Sequence, residues 1–316
     1  MRRTECQRII EEGILPGEFF QEETICDFLV TIERKKIWAI SLDLLIQFDR
    51  ICRKHDLKYF LAFGSLLGVV RHNGFIPWDD DLDVCMPRED YEKFVVLAQN
   101  ELPSPYFLQI PGLDNDYFFS FPKIRNSNTT CISSAFRYCK FNQGIALDIF
   151  VLDNCHLHLV EKNFKKVTNL VLENSTNMRR CNPHPSEKDI ERMKSFEMRS
   201  SYEILAELET IYKEMNKKTS EYCMPSGLTI YTPQRMIYKW ADVLDLINVD
   251  FYGHKVYLPQ NAEAILITTY GKNYMQYPPI MERGTWHNSV LFNSDKPYDE
   301  SLTKLLREEY EEYNQA

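Results

Sequence analysis

The chain has 316 residues, of which 44% are hydrophobic and 26% charged, a balance typical of a folded globular protein. Its formal net charge of −9, without a basic stripe, argues against a nucleic-acid binder. The cysteines are odd in number and form no Cys-x-x-Cys pair, so we expect reduced thiols in a cytoplasmic protein. No apolar run reaches the roughly 18–20 residues that span a bilayer, so any membrane association is expected to be peripheral.

The first half of the chain alternates between helical and strand patterns. Residues 1–32 are expected to form a loosely ordered N-terminal extension, with room for short helices. Apolar spacing and turn residues then predict, in chain order, a helix over 33–54, a strand over 59–63, a short helix over 66–71, a strand over 83–86, a helix over 88–100 and a buried strand over 145–152. Gly64-Ser65 is interpreted as a break between the first strand and the short helix.

The second half is mainly helical. Pro183-His184-Pro185 separates two polar helical segments, the second predicted from Glu187 to about Lys218, and residues 302–313 predict an acidic helix. The fold class predicted is α+β (mixed α/β), with a small mixed sheet and a helical region. The predicted regions are an extension (1–32), a core (33–156), a helical insertion or subdomain (157–224) and a C-terminal substrate-binding region (225–316).

Four carboxylates fall within the run Asp79-Asp80-Asp81-Leu82-Asp83. Side chains two apart along a strand point to the same face, so Asp81 and Asp83 can converge on one cation. Hard oxygen ligands of this kind suit Mg²⁺ or Mn²⁺, which bridge to substrate phosphates. The alternative is a solvated acidic loop, but the alternating apolar residues Leu82 and Val84 indicate that part of the run lies against a core.

Asp148 lies inside a second apolar stretch, where an isolated carboxylate is unfavourable unless it is paired or binds metal. We therefore predict a three-carboxylate metal site. Gly64 and Ser65 precede the acidic run, and such a pair lets a phosphate approach the backbone and accept hydrogen bonds. This order of a strand, Gly-Ser, Asp-x-Asp and a later aspartate is similar to the pattern of the nucleotidyltransferase superfamily.

The stretch FGSLLGVVRHNGFIPWDDDLDV, from Phe63 to Val84, resembles the signature of the LicD family. These are phosphocholine transferases related to fukutin and fukutin-related protein. Three further segments match in order: Lys123-Ile124-Arg125 with Thr129-Thr130, Gly144 to Phe150, and Tyr270 to Met275 with Pro278-Pro279 and Arg283. The resemblance covers about residues 33–290 and implies that the core is nucleotidyltransferase-like.

The resemblance implies a Mg²⁺-dependent (or Mn²⁺-dependent) transferase. It would move a phospho-alcohol, expected to be phosphocholine, from a CDP-activated donor to a hydroxyl of a cell-surface glycan or glycolipid, releasing CMP. Asp81 and Asp83 would ligate the metal, and Asp148 would either ligate it or accept the acceptor's proton. Candidate nucleotide- or phosphate-binding residues are Gly64, Ser65, Lys123 and Arg125. Candidates for binding substrate or supporting the metal ligands are Arg71, His72, Trp78, Asp79, Asp80, Tyr270, Tyr274, Arg283 and His287.

Several alternatives stay open. Lys123 and Arg125 could equally belong to a solvated strand edge. A quaternary ammonium group is typically bound by aromatic faces, and Trp78, Tyr270, Tyr274, Tyr277 and Trp286 could form such a cage or simply be core. The chain could instead transfer a nucleotide to a small substrate with release of pyrophosphate. A third possibility is a non-catalytic glycan-binding module with a structural cation.

Overall fold

A computed structural model describes residues 3–111, 117–227, 232–284, 289–299, 301 and 304. Helices and small sheets are mixed, which confirms the α+β fold class. The helices are α1 (Glu5–Glu11), α2 (Ile32–Lys54), α3 (Phe63–His72), α4 (Arg88–Glu101), α5 (Val160–Arg180), α6 (Glu187–Lys194), α7 (Ser201–Asn216), α8 (Trp240–Leu244) and α9 (Ala262–Tyr270). The strands are β1 (Glu23–Ile25), β2 (Phe28–Val30), β3 (Phe60–Leu61), β4 (Asp83–Pro87), β5 (Tyr106–Gln109), β6 (Lys123–Asn126), β7 (Thr130–Ser133), β8 (Ala146–Cys155), β9 (Tyr222–Pro225), β10 (Tyr238–Lys239), β11 (Leu246–Phe251), β12 (His254–Pro259) and β13 (Ser289–Asn293).

The fold is built around a seven-stranded sheet in the order β10-β9-β8-β4-β3, with β6 and β5 added beside the first part of β8. β8 runs parallel to β4 and antiparallel to β6 and β9. Asp148 of β8 pairs with Asp83 on one side and with Lys123 on the other. Because directly paired residues face the same side of a sheet, these three side chains form one row across it.

Helix α2 packs against the sheet through a fully buried apolar face. Its Phe48 ring contacts Tyr59 and Phe94 at 4.8 Å between ring centroids, which ties the helix to the start of β3 and to α4. The helix begins after Thr31, whose hydroxyl oxygen accepts a hydrogen bond from the N–H of Arg34. The structure thus agrees closely with the helix predicted over 33–54.

The N-terminal residues pack on the core, so the expectation of a loosely ordered extension is wrong. Ile9 of α1 is fully buried, and β1 and β2 form a hairpin. The guanidinium of Arg8 pairs with the fully buried carboxylate of Asp43 on α2. Tyr106 donates a second hydrogen bond to that carboxylate, at 2.5 Å. This buried charge pair, which sequence periodicity does not reveal, holds α1 against α2.

The helical region after residue 157 contains a small apolar core of its own between α5 and α7. The single helix predicted from Glu187 to about Lys218 is wrong, because α6 ends at Lys194 and α7 begins at Ser201. Ser200 and Glu203 form a reciprocal capping box that starts α7. The two prolines at 183 and 185 do lie between α5 and α6, as expected.

The regions predicted from composition stay predictions, but the sheet extends across one of their boundaries. β9 ends at Pro225 and joins β8, while β10 follows and joins β9. The predicted C-terminal helix over 302–313 lies almost entirely outside the described residues. In the portion of the chain that the structure covers, no helix combines the length and apolarity needed to cross a bilayer.

Candidate active site

The junction between β3 and α3 contacts both ends of the acidic run, Asp79 and Asp83. Phe63 opens α3 with a φ of 44°, a left-handed conformation that is uncommon outside glycine. Gly64-Ser65 therefore forms the first turn of α3 and is not a break before it. A Cβ on Gly64 would lie 2.6 Å from Oδ2 of Asp79, so glycine lets this carboxylate lie against the helix turn. The buried Ser65 hydroxyl accepts a hydrogen bond from the N–H of Asp83 at 2.8 Å.

Helix α2 anchors the acidic loop through the backbone of Asp79. Nη1 of Arg34 and Nε1 of Trp38 each donate to the Asp79 carbonyl oxygen at 2.8 Å. Trp38 is fully buried and stacks on Phe75 with ring centroids 4.8 Å apart. Sequence reasoning missed both donors, because nothing in the spacing of α2 indicates a contact with a loop more than 40 residues away.

Among the described residues, the side chains of Asp79, Asp80 and Asp81 form a cluster of carboxylates that could hold a metal ion. One oxygen from each lies within 4.8 Å of the others, and all three side chains are half-buried. The argument from strand alternation does not hold for Asp81, because β4 begins only at Asp83 and Asp81 lies in the preceding loop. The loop brings its carboxylate close to Asp83 by a different route.

Asp148 is buried on the sheet face that carries Asp83 and is bound by Lys123. Nζ of Lys123 lies 2.6 Å from both carboxylate oxygens of Asp148. The same ammonium group lies over the rings of Phe119 and Phe121, at 4.5 and 5.2 Å from their centroids. A buried ammonium group therefore compensates the third carboxylate of the site.

Asp83 lies among other carboxylates. Burial raises the pKa of Asp83 well above its ordinary value, and the charges of Asp81, Asp148 and Asp79 raise it further, while Lys123 lowers it. A divalent cation bound here would reduce the repulsion among these like charges. The donor set, made of carboxylate oxygens, fits Mg²⁺ or Mn²⁺. The assignment of the metal ligands to Asp81, Asp83 and Asp148 stays a prediction, since among the described residues the carboxylates found within 4.8 Å of one another are those of Asp79, Asp80 and Asp81.

Lys123 and Arg125 are both buried in β6, which lies between β5 and β8, so the alternative of a solvated strand edge is wrong. Arg125 donates to the carbonyl oxygen of Gly144 at 2.6 Å and also binds the side chain of Gln109. Its contacts join neighbouring parts of the core. The predicted phosphate contacts of Gly64, Ser65, Lys123 and Arg125 remain predictions.

An aromatic cluster lies beside the acidic loop. The imidazole of His72 stacks on Tyr277 with centroids 5.2 Å apart and meets Trp78 edge-on at 5.5 Å. Guanidinium groups of Arg71 and Arg283 lie over Trp78 at 5.8 and 4.8 Å and over Tyr277 at 5.6 Å each. Trp78 and Tyr277 thus come together as predicted for a cage, but the protein's own cations occupy their faces.

The other predicted members of the cage lie elsewhere or cannot be placed. Tyr270 and Tyr274 are half-buried and pack against the main core. Trp286 and His287 fall outside the described residues. The carbonyl oxygen of Tyr274, rather than its ring, contributes to the cluster by accepting a hydrogen bond from Arg71 at 2.9 Å.

An α+β core with a Gly-Ser helix turn, an acidic loop and a further aspartate on the neighbouring strand has the features expected of a nucleotidyltransferase-like core. Residues 56–109, which include the turn and the loop, match the family model "LicD/FKTN/FKRP, nucleotidyltransferase domain". In this segment the chain is therefore similar to the LicD family, as the motif in its sequence predicts. The segments around Lys123, Asp148 and Tyr270 lie outside the matched residues.

Three curated relatives share this segment. The lipopolysaccharide cholinephosphotransferase LicD of Haemophilus influenzae is 46% identical over 70 residues, which are 22% of this chain and 26% of the relative. An uncharacterized protein of Rickettsia typhi is 45% identical over 60 residues, 19% of each chain. One of Rickettsia prowazekii is 45% identical over 53 residues, 16% of this chain and 20% of the relative. The chain thus spans only about a fifth to a quarter of these relatives.

Proposed function

We propose that this chain is a Mg²⁺- or Mn²⁺-dependent phosphotransferase that moves phosphocholine from CDP-choline to a hydroxyl of a cell-surface glycan and releases CMP. The observation that carries the proposal is the carboxylate group of Asp79, Asp80 and Asp81, whose oxygens lie within 4.8 Å of one another, close in the chain to Asp83, which pairs with Asp148 across the sheet. The name of the Haemophilus relative, a lipopolysaccharide cholinephosphotransferase, supports phosphocholine as the group and a glycolipid as the acceptor. The cytoplasm is the proposed location.

The residues of the site would divide the work of phosphoryl transfer. The cation, when bound by the acidic loop and Asp83, would neutralise charge that develops on the transferred phosphoryl group. Lys123 donates to both carboxylate oxygens of Asp148 and so would hold this side chain in place to ligate the cation or to take the proton of the acceptor hydroxyl. Arg34 and Trp38 would keep the loop in position during this exchange.

The CMP-release assay tests the proposal directly. Purified protein with Mg²⁺ would be incubated separately with CDP-choline, CDP-ribitol and CDP-glycerol, together with a glycolipid acceptor. We expect acceptor-dependent release of CMP from CDP-choline, abolished in Asp81→Asn and unaffected in the distant surface variant Asp189→Asn. If CMP were released from only one of the other donors, the alcohol of that donor would replace choline in the proposal. If no donor released CMP, phospho-alcohol transfer would be refuted.

Nucleotidyl transfer is the second candidate, because the matched family model is itself described as a nucleotidyltransferase domain. It would release pyrophosphate from CTP rather than CMP from a CDP-alcohol. The same protein incubated with CTP and Mg²⁺ distinguishes the two reactions. If neither product forms while an isolated glycan still binds, the non-catalytic glycan-binding module becomes the better reading.

A further inference from the structure

Arg71 and Arg283 carry positive charges that no carboxylate offsets within the described ranges. Arg71 donates through Nη1 to the carbonyl oxygens of Tyr274 and Gln276, at 2.9 and 3.1 Å. Arg283 donates to the carbonyl oxygens of Pro278, at 2.9 Å, and Cys26. These partners are neutral, although the chain as a whole has a net charge of −9.

The two guanidinium groups also repel each other. Both lie over the rings of Trp78 and Tyr277, and the charge of Arg283, added to burial, lowers the pKa of Arg71. Burial and the same two arginines lower the pKa of His72 to about 4. The buried Nε2 of this neutral imidazole has no hydrogen-bond partner in the described part of the chain. Two like charges held this close are unfavourable unless an anion lies between them.

We propose that the cluster of Arg71, His72, Trp78, Tyr277 and Arg283 binds a phosphate group carried by a substrate. Guanidinium groups present several N–H donors in a planar fork, which matches the oxygens of a phosphate. The cluster adjoins the acidic loop, because Trp78 directly precedes Asp79. A quaternary ammonium group would meet two charges of its own sign here, so choline must be recognised elsewhere.

The phosphate has two possible sources, namely the diphosphate of a nucleotide-activated donor or a phosphate on the acceptor glycan. Both offer the same oxyanion to the guanidinium groups. The inference deepens the proposed function by naming the charge that this part of the site receives. Phosphate binding itself does not require that any group be transferred, so the two ideas can fail separately.

The test begins without divalent cations, so that phosphate cannot be held through a metal. Wild-type protein in EDTA would be titrated with inorganic phosphate and with pyrophosphate in a calorimeter. We expect binding that weakens at least about tenfold in Arg71→Gln and in Arg283→Gln, since each removes one charge-assisted contact. Affinities equal to wild type in both variants, or no wild-type binding, would overturn the proposal.

The matched control is Arg53→Gln. Arg53 also lies over a tyrosine ring, 4.2 Å from the centroid of Tyr257, but Asp49 pairs with it at 2.7 Å. It is thus a guanidinium on an aromatic face whose charge is already offset. Phosphate affinity should be unchanged in this variant, and an equal loss here would show that the effect is not specific to the cluster.

A readout on the unaltered protein guards against variants that fold poorly. NMR titration of His72, assigned with His72→Gln, should show its pKa rising when phosphate is added, because the anion offsets the two arginine charges. An unchanged pKa at saturating phosphate would refute the inference without any arginine variant.

Substrate-sized ligands then separate the two sources. If the donor supplies the phosphate, Arg283→Gln should weaken the binding of CDP-choline and leave the binding of a hexose phosphate unchanged. If the acceptor supplies it, Arg283→Gln should weaken the binding of the hexose phosphate and leave that of CDP-choline unchanged. Loss of neither would count against the proposal. Absence of CMP release in a wild type that binds phosphate through this cluster would refute the proposed reaction while the anion site stands.

Discussion

Lys123 and Asp148 are direct cross-strand neighbours on β6 and β8, with the ammonium nitrogen 2.6 Å from both carboxylate oxygens. Both side chains are buried. Removing one partner of a buried pair leaves an uncompensated charge in a poorly solvated place, and such changes destabilise proteins by about 3–5 kcal/mol.

We expect Lys123→Met to lower the free energy of unfolding by about 3 kcal/mol at pH 7, because Asp148 loses its counter-ion. The double variant Lys123→Met with Asp148→Asn should recover much of this loss, since no buried carboxylate then remains. Urea denaturation of Lys123→Met, of Asp148→Asn and of the double variant measures the coupling energy between the two side chains. Simple additivity of the two single effects would contradict the pairing.

Metal binding should raise the thermal midpoint of the protein. A cation held by Asp79–Asp81 and Asp83 binds the folded chain alone, because the unfolded chain has no such site. Calorimetric scans in EDTA and in millimolar MgCl₂ or MnCl₂ measure the difference. Asp81→Asn should reduce the shift strongly, whereas Asp189→Asn, a substitution in the distant helical region, should keep it. An equal shift in all three proteins would indicate nonspecific binding.

Gly64→Ala should reduce transfer activity at least about tenfold and destabilise the fold by only about 1 kcal/mol. The added Cβ would lie 2.6 Å from Oδ2 of Asp79, so the carboxylate of Asp79 must shift. Gly17→Ala is the matched control, because a Cβ there meets nothing within 4 Å. Activity assays and urea denaturation of both variants check the result, which wild-type behaviour of Gly64→Ala would contradict.

The pH dependence of stability should carry the signature of His72. Its pKa falls from 6.5 to about 4 on folding, so between these values the unfolded chain binds a proton that the folded chain does not. Stability therefore falls as the pH is lowered from about 6.5 towards 4. His72→Gln should show a shallower fall than wild type in denaturation curves collected across this window. Parallel curves would mean that His72 titrates normally.

The sequence predicted the elements that rest on local pattern and one long motif. Apolar spacing located α2 and α4 closely, and the Gly64-Ser65 pair pointed to the acidic run. The start of β4 at Asp83 was also predicted correctly, whereas Asp81 lies in the loop before the strand and not on it. Ser200 and Glu203 have the spacing of a capping box, the local signal that divides the long helix predicted from Glu187.

Contacts between distant segments could not be predicted. Arg34 and Trp38 are placed at the Asp79 carbonyl by the packing of a whole helix, and Arg8 reaches Asp43 in the same way. The environment of the aromatic residues could not be predicted either. The sequence allows Trp78 and Tyr277 to be core or part of a cage for a ligand cation, whereas in the structure Arg71 and Arg283 lie over their rings.

The anchoring of the acidic loop through a carbonyl oxygen has a practical consequence. Arg34 and Trp38 hold the main chain of Asp79, so their hydrogen bonds do not depend on which side chain stands there. Each loop aspartate can therefore be exchanged for asparagine while α2 keeps its hold on the backbone. Such exchanges would remove one charge at a time without breaking these two backbone hydrogen bonds, which makes this loop suited to comparing the contribution of each carboxylate.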